Sequence, residues 1–324
     1  MGGIKKGLNK KSIITALILI LVYIILYYMI KTRVINPYKS QILIIIGINI
    51  ILAASLNLIL GFTGQLTLGH AGFMSIGGYT AAMMTLKFHL PFAAALLAGG
   101  LFAALISYLF GLPILRLKGD YLAISTLGFG EIIRVIIVNL DFIGGPRGLA
   151  GIPKKTTFTW VYVITVLTVI IIYNLIKSTY GRAMISVRED EIASEAMGIN
   201  TTKYKIIAFV IGGFFAGIAG GLYAHLIMFL DPKTFGFLKS MDILIYVVFG
   251  GMGSISGSIL SASILTYLPE VLRSFSDLRM IIYSILIIVL MLFRPEGLMG
   301  SKELSLNTFR KLSNTGSLKR GGKK

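Results

Sequence analysis

The sequence predicts an all-α polytopic membrane protein, a bundle of about ten transmembrane or re-entrant helical segments. Three observations predict it. The 324 residues are 56% hydrophobic and only 14% charged, against about 25% charged in soluble domains. Mean hydropathy is +0.85, so lipid must be the solvent for most of the chain. Finally, apolar runs recur along the whole length, spaced by short polar loops.

A span needs roughly 20 mostly apolar residues, fewer where the segment is broken or re-entrant. The candidates are 13–30, 41–60, 66–87, 92–112, 121–140, 160–176, 205–230, 241–252, 255–272 and 279–293. Segments 66–87 and 241–252 are glycine-interrupted or short. The run 13–30 follows four lysines and resembles a signal peptide. It is long for one, however, and Lys31-Thr32-Arg33-Val34 offers no small-residue cleavage site. It is therefore read as the first span. Domain organisation follows: a basic cytoplasmic N-terminus at 1–12, a membrane domain at 13–300 with a large cytoplasmic loop at 177–205, and a polar, basic cytoplasmic tail at 301–324 expected to be disordered.

Lys and Arg in the loops orient the chain. With the N-terminus inside, the inside loops hold four at 1–12, two at 113–120, five at 177–205 and eight at 294–324. Eleven, Lys239 among them, fall in the other loops, and Arg134 lies within a span. Both termini are thus expected in the cytoplasm. The net charge of +18 is explained by this topology and by contact with anionic lipid rather than by nucleic acid. There are no cysteines and three distant histidines, His70, His89 and His225. A disulfide framework, thiolate chemistry and a metal site are accordingly not expected. An intramembrane enzyme would need a catalytic group set, and none is found. Asp120, Asp141, Asp231 and Asp242 fall near predicted span ends, where they can cap helices or stay hydrated.

The most informative loop is Ser186-Val-Arg-Glu-Asp-Glu-Ile-Ala-Ser-Glu-Ala-Met-Gly198. Ser186 and Glu189 have capping-box spacing. Glu189, Asp190 and Glu191 suit a helix's first turn, and Gly198 suits its left-handed end. One helix over Val187–Met197 is predicted. Ile192, Ala196 and Ile199 form an apolar stripe, and Glu191 and Glu195 form an uncompensated acidic face. A helix this short is marginal alone. Docking into another protein's groove and packing on the chain's own bundle both fit it. Docking would involve Arg188, Glu189, Asp190, Glu191, Ile192, Glu195, Ala196 and Gly198.

Polar groups inside spans are functional candidates. Asn57, Gln65, Thr67, His70 and Ser75 lie in or beside a stretch holding Gly61, Gly64, Gly69, Gly72, Gly77 and Gly78. A helix broken there would serve a translocation path, and close packing by small residues is the plainer reading. Glu131 and Arg134, three apart, can pair on one helix face, with a gating role as the sharper alternative. Gly213, Gly217 and Gly221 form a GxxxGxxxG ladder that brings two helix backbones together, within the chain or across a dimer. Gly250, Gly251, Gly253 and Gly257 predict a re-entrant turn or tight crossing. The four glycines of 144–151 predict a mobile outer loop.

Glu195-Ala196-Met197-Gly198 resembles a shortened EAA-type coupling loop of ABC importer permeases. Longer segments carry a more specific resemblance. Asn57-Leu-Ile-Leu-Gly-Phe-Thr-Gly-Gln-Leu-Thr-Leu-Gly-His-Ala-Gly72, Ile124-Ser-Thr-Leu-Gly-Phe-Gly-Glu-Ile-Ile-Arg134, Gly144-Gly-Pro-Arg-Gly-Leu149, Arg188-Glu-Asp-Glu-Ile-Ala and Phe293-Arg-Pro-Glu-Gly-Leu298 resemble the branched-chain amino-acid ABC transporter permease family, its LivM branch in particular. The resemblance runs from about Ile42 to Gly300.

It implies a multi-pass subunit of a prokaryotic inner membrane that imports branched-chain or other small apolar amino acids. The partners implied are a second homologous permease, two ABC ATPase subunits and an extracytoplasmic substrate-binding protein. No GxxxxGK[ST] phosphate loop occurs, so the chain is expected to bind no cofactor and the partner subunits to use the ATP. Urea or short-chain amides are the alternative substrates. An autonomous secondary transporter or channel is the alternative mechanism.

Overall fold

The structure, a computed structural model, describes residues 10–273, 278–294 and 296–300. The terminal segments 1–9 and 301–324, including the tail, lie outside the described residues. The helices are α1 Lys10–Lys31, α2 Pro37–Leu60, α3 His70–Leu86, α4 Phe92–Ile114, α5 Gly119–Val138, α6 Phe158–Lys177, α7 Thr179–Glu189, α8 Glu191–Ala196, α9 Thr201–Ile227, α10 Phe237–Gly250, α11 Ile255–Val271 and α12 Arg279–Phe293. Each predicted apolar segment is met by one helix, with α7 and α8 added in the large loop. Among the described residues five helices, α2, α4, α5, α6 and α9, are long and apolar enough by themselves to cross a membrane.

The core is α9 packed among α2, α3 and α4, and glycine explains why these helices meet so closely. On α9, Gly213, Gly217 and Gly221 face α4 and α3. Gly213 lies on Ser107 and Ala103, Gly217 on Ala103, Gly100 and Gly77, and Gly221 on Leu96 and Ala81. Gly220 lies on the Met74 carbonyl and Gly78. The ladder therefore packs within the chain, which decides between the two readings its spacing allowed. Small residues also let Ala103, Ala216 and Ala219 reach zero exposure. Around this core, α6, α10 and α11 pack on α2, and α5 packs on α3. α1 lies on α6, where the Tyr162 hydroxyl donates to the Leu19 carbonyl at 2.7 Å.

Two segments are broken. Residues 61–69 are non-helical yet mostly buried, so their polar groups need partners within the protein. The Leu68 N–H donates to Thr126 Oγ1 at 3.0 Å. Thr126 is seven residues into α5, so the segment reaches about 10 Å into the bundle before α3 starts. The second break is the turn between α10 and α11, where Gly250 and Gly257 are in backbone contact.

Contacts at the ends agree with alternating crossings. At one end the turns at 61–64 and 251–253 meet Arg188 of α7, and the 297–300 turn packs on Gly251 and the end of α10. At the other, Leu149 and Leu230 exchange backbone hydrogen bonds at 2.9 and 3.0 Å, and Lys87 Nζ donates to the Phe142 carbonyl. This pairing pins the 144–151 loop, and with Ile143 and Ile152 buried beside it the loop is anchored rather than free.

Candidate functional site

The large loop folds as two helices, not the single helix over 187–197 that its sequence suggests. Ser178 caps α7, accepting from the Gly181 N–H at 3.4 Å, and α7 buries Gly181, Met184 and Val187. It ends at Glu189. Asp190 then turns to extended backbone and caps α8, its Oδ1 accepting from the Ala193 N–H at 3.0 Å. Ser186 is thus inside α7 and its hydroxyl bonds Ser194 at 2.6 Å, which ties the two helices together. The capping box read at Ser186 is pre-empted because Ser178 has already started the helix, and Asp190, read as a first-turn acid, becomes the cap of α8. Gly198 does take the left-handed conformation, with φ +82°.

The acidic face is compensated, contrary to its expected role. Glu191 pairs with Lys205 at 2.6 Å and with Lys118 at 3.3 Å. Glu195 accepts from the Thr201 hydroxyl at 2.6 Å, and Glu189 pairs with Arg188. Glu191 and Glu195 thus hold the loop onto α9, and Glu191 also onto the α4–α5 turn. Beside these acids the loop also presents apolar side chains outward: Ile192 is 77% exposed and Met197 82%. Ala196 is exposed beside them.

Burial alone would raise the Glu191 carboxyl, but hydrogen bonds and charge from Lys205 and Lys118 outweigh it and hold the group below its ordinary 4.5. A depressed carboxyl stabilises the fold above its unfolded value and loses that contribution as pH falls through the lowered one. The anchor should therefore be constant around neutral pH and fail only in acid. Glu191→Gln should remove it at neutral pH while Lys205, with 10% side-chain exposure, is left largely buried without its anion. Removing one partner of a buried pair costs on the order of 3 kcal/mol. Hydrogen exchange across 191–197 should accelerate in the variant.

Arg188 reaches furthest. Its Nη1 donates to the Gly61 carbonyl at 2.7 Å. Gly64 lies against its side-chain stem and Gly253 against its Nη1. One guanidinium thus joins the loop to the turn entering the broken 61–69 segment and to the α10–α11 turn.

Asn57 sits in the same junction. Its Nδ2 donates to the Ser254 carbonyl at 2.9 Å and Ser258 Oγ at 2.8 Å, and its Oδ1 accepts from the Gly253 N–H at 2.9 Å. It braces the α10–α11 turn. Gln65 Nε2 donates to the Lys205 carbonyl at 3.2 Å. Thr67 Oγ1 accepts from the Gly69 N–H. His70 Nε2 bonds Ser55 Oγ at 2.9 Å. Gln65 Oε1, His70 Nδ1 and Ser75 Oγ are buried with no hydrogen-bond partner among the described residues. Glu131 and Arg134 do pair along α5, at 2.7 Å, with side chains 37% and 33% exposed. The structure thus brings Arg188 and Asn57 into one junction and leaves Glu131 and Arg134 on a separate face.

A structure-independent comparison agrees. Residues 38–293 match the family model described as branched-chain amino acid transport system / permease component. The chain belongs to this permease family. It is 36% identical over 260 residues to the high-affinity branched-chain amino acid transport system permease protein LivM of Salmonella typhimurium and to that of Escherichia coli. Each alignment covers 69% of this chain and 61% of the relative, so the aligned part spans about three-fifths of the length of these curated relatives. It is also 28% identical over 147 residues to the permease LivH of Escherichia coli, covering 44% of this chain and 47% of that one. No solved structure matches the chain.

Membership in this permease family gives the loop a frame. Sequence reasoning missed Lys205 and Lys118 as anchors because they lie far from Glu191 along the chain. It also missed Met197 as part of the exposed apolar surface, and the reach of Arg188.

Proposed function

We propose that this chain is the membrane-spanning permease subunit of an ATP-binding-cassette importer for branched-chain or other small apolar amino acids. It works in a prokaryotic inner membrane, with both termini in the cytoplasm. A second related permease, two ATPase subunits and an extracytoplasmic binding protein complete the machine. The observation that carries the reading is the α8 loop, which is fastened to the bundle by ion pairs while Ile192 and Met197 point into solvent. A stiff mount with an exposed apolar tip suits a groove on a motor protein. ATP-driven closure of the ATPase pair then moves the loop, and Arg188 passes that motion to the two turns it touches.

The test is reconstitution with the ATPase and binding protein in vesicles, reading ATP-dependent leucine uptake. Ile192→Asp with Met197→Asp should leave folding intact, because both side chains are exposed. Loss of a central apolar anchor removes about 2 kcal/mol of binding or more, so ATPase affinity should fall roughly thirtyfold and uptake with it. Uptake that persists with no ATPase present would instead establish an autonomous transporter or channel.

A further inference from the structure

One face of α6 ends in a charged corner. Along that face Val163, Leu167 and Ile170 are 50%, 49% and 46% exposed. Asn174 and Lys177 continue the row at helical spacing and are also exposed. Lys177 is the only charged residue of α6. Trp160 near one end and Tyr173 near the other are exposed aromatic residues, about 20 Å apart along the helix. That is the pattern of the two interfacial belts of a bilayer. The row therefore faces lipid, and Lys177, one turn beyond Tyr173, stands at the depth of the lipid phosphates.

Lysines at span ends ordinarily extend outward to water. Lys177 does the reverse. Its Nζ turns back along α6, lies 4.1 Å from the centre of the Tyr173 ring and donates to the Tyr173 hydroxyl. Arg182, in the first turn of α7, is exposed and folds toward the same corner, its Nη1 donating to the Lys177 carbonyl at 3.4 Å. Tyr180 is 47% exposed and meets Tyr204 of α9 edge-on at 6.0 Å. This contact brings up the start of α9, where Lys203 is exposed.

No anion of the described chain answers these cations. Residues 158–188 contain no Asp or Glu. Beyond them, Glu189 is taken by Arg188, Glu191 by Lys205 and Lys118, and Glu195 by the Thr201 hydroxyl, while Asp190 caps α8. Among the described residues neither Lys177, Arg182 nor Lys203 forms an ion pair.

We infer that the α6–α7 corner binds the phosphate of an anionic phospholipid, held by Lys177 and Arg182 with Lys203 at the rim. The acyl chains lie along Val163, Leu167 and Ile170. A soluble anion would use no apolar row, and would not draw an ammonium back toward the bilayer. A zwitterionic headgroup brings its own ammonium, which uncompensated cations repel; a net anionic headgroup does not. The bound lipid fixes the start of α7, whose other end carries Arg188. The inference stands whether or not the chain works in an importer.

The full-length chain is purified in detergent and titrated with phosphatidylglycerol and, separately, with phosphatidylcholine. Bound lipid is read by native mass spectrometry. Phosphatidylglycerol should bind at least about tenfold tighter, since each basic residue beside an anionic headgroup is worth about fivefold. Lys177→Ala with Arg182→Ala should abolish that preference at an unchanged melting temperature, because both side chains are exposed. Lys177→Gln, which keeps the length of the side chain, should weaken binding about fivefold by itself. Arg147→Ala with Lys154→Ala removes the same charge from exposed positions at the other end of the bundle and should keep the preference. Excess inorganic phosphate should not displace the lipid. Equal loss in both double variants overturns the inference, because net charge alone would then hold the lipid. A preference retained without Lys177 and Arg182 overturns it too, and loss of ATPase binding in that variant would make the corner a protein contact. Displacement by inorganic phosphate would make it a site for a soluble anion instead of a lipid.

Discussion

Valine in place of Gly77 or Gly220 should leave almost no folded protein. A Cβ built at Gly77 falls on the Gly217 backbone, and one at Gly220 falls on the Met74 carbonyl. In both cases the neighbour is main chain of a facing helix, which has no rotamer by which to move aside. Ordinary overpacking of a core costs about 1–3 kcal/mol. Here α3 and α9 would have to separate along their shared length, so the effect should be about 3 kcal/mol or more, and valine should be worse than alanine. The contrast is Gly213, whose Cβ would meet chiefly the Ser107 side chain. That hydroxyl can rotate at the expense of its bond to the Ala103 carbonyl, so Gly213→Ala should be the mildest of the three. Recovery of a monodisperse peak in detergent and its melting temperature read the order. Equal effects at all three positions would mean the α3–α9 contact is no tighter than the rest of the bundle.

That ladder shows where the sequence is legible and where it stops. A GxxxG spacing declares that two backbones touch, because nothing else makes a side-chain-free stripe useful in lipid. It carries no information about which helix supplies the other backbone. The apolar segments were legible for a similar reason: lipid tolerates no lipid-exposed unpaired backbone, so helix lengths are dictated by the bilayer. The α3 break was readable as a cluster of glycines and polar residues, but its depth depends on Thr126 and Ser240, 58 and 169 residues from their partners.

The loop failed differently. The capping box at Ser186 was overridden by a helix already begun at Ser178, and Asp190, read as a first-turn acid, caps α8 instead. The acids of that loop were visible as a cluster, while their cations came from α9 and the α4–α5 turn. Charge counts in a segment say nothing about neighbours folded against it. Lys239 was assigned to an outer loop for a related reason: hydropathy marks where α10 becomes apolar, and the helix itself starts earlier, at Phe237.

Arg188→Ala should uncouple the machine without dismantling it. The guanidinium sits at the end of α7, bonded to Glu189 and to the Gly61 carbonyl, with Gly253 against it. Hydrogen bonds to a charged group are worth about 1.5–3 kcal/mol. The bundle core does not depend on this one, so the subunit should insert and assemble. The docking residues lie beyond it, Ile192 on α8 and Met197 at its C-terminal cap, so the ATPase should still bind and hydrolyse ATP. What is lost is the bond from Arg188 Nη1 to the Gly61 carbonyl, which ties the loop to the 61–64 turn: a pull on α8 then moves α7 without moving the entry to the broken segment. Leucine uptake should fall by roughly ten- to a hundredfold at near-normal ATP hydrolysis. Arg188→Lys should recover part of it, since an ammonium can reach one acceptor but lacks the planar fork that serves Glu189 and Gly61 together. Measuring uptake and hydrolysis on the same vesicles separates the cases. A parallel fall in both would place Arg188 in ATPase docking, and unchanged uptake would mean that motion enters the bundle through the Lys205–Glu191 pair on α9 instead.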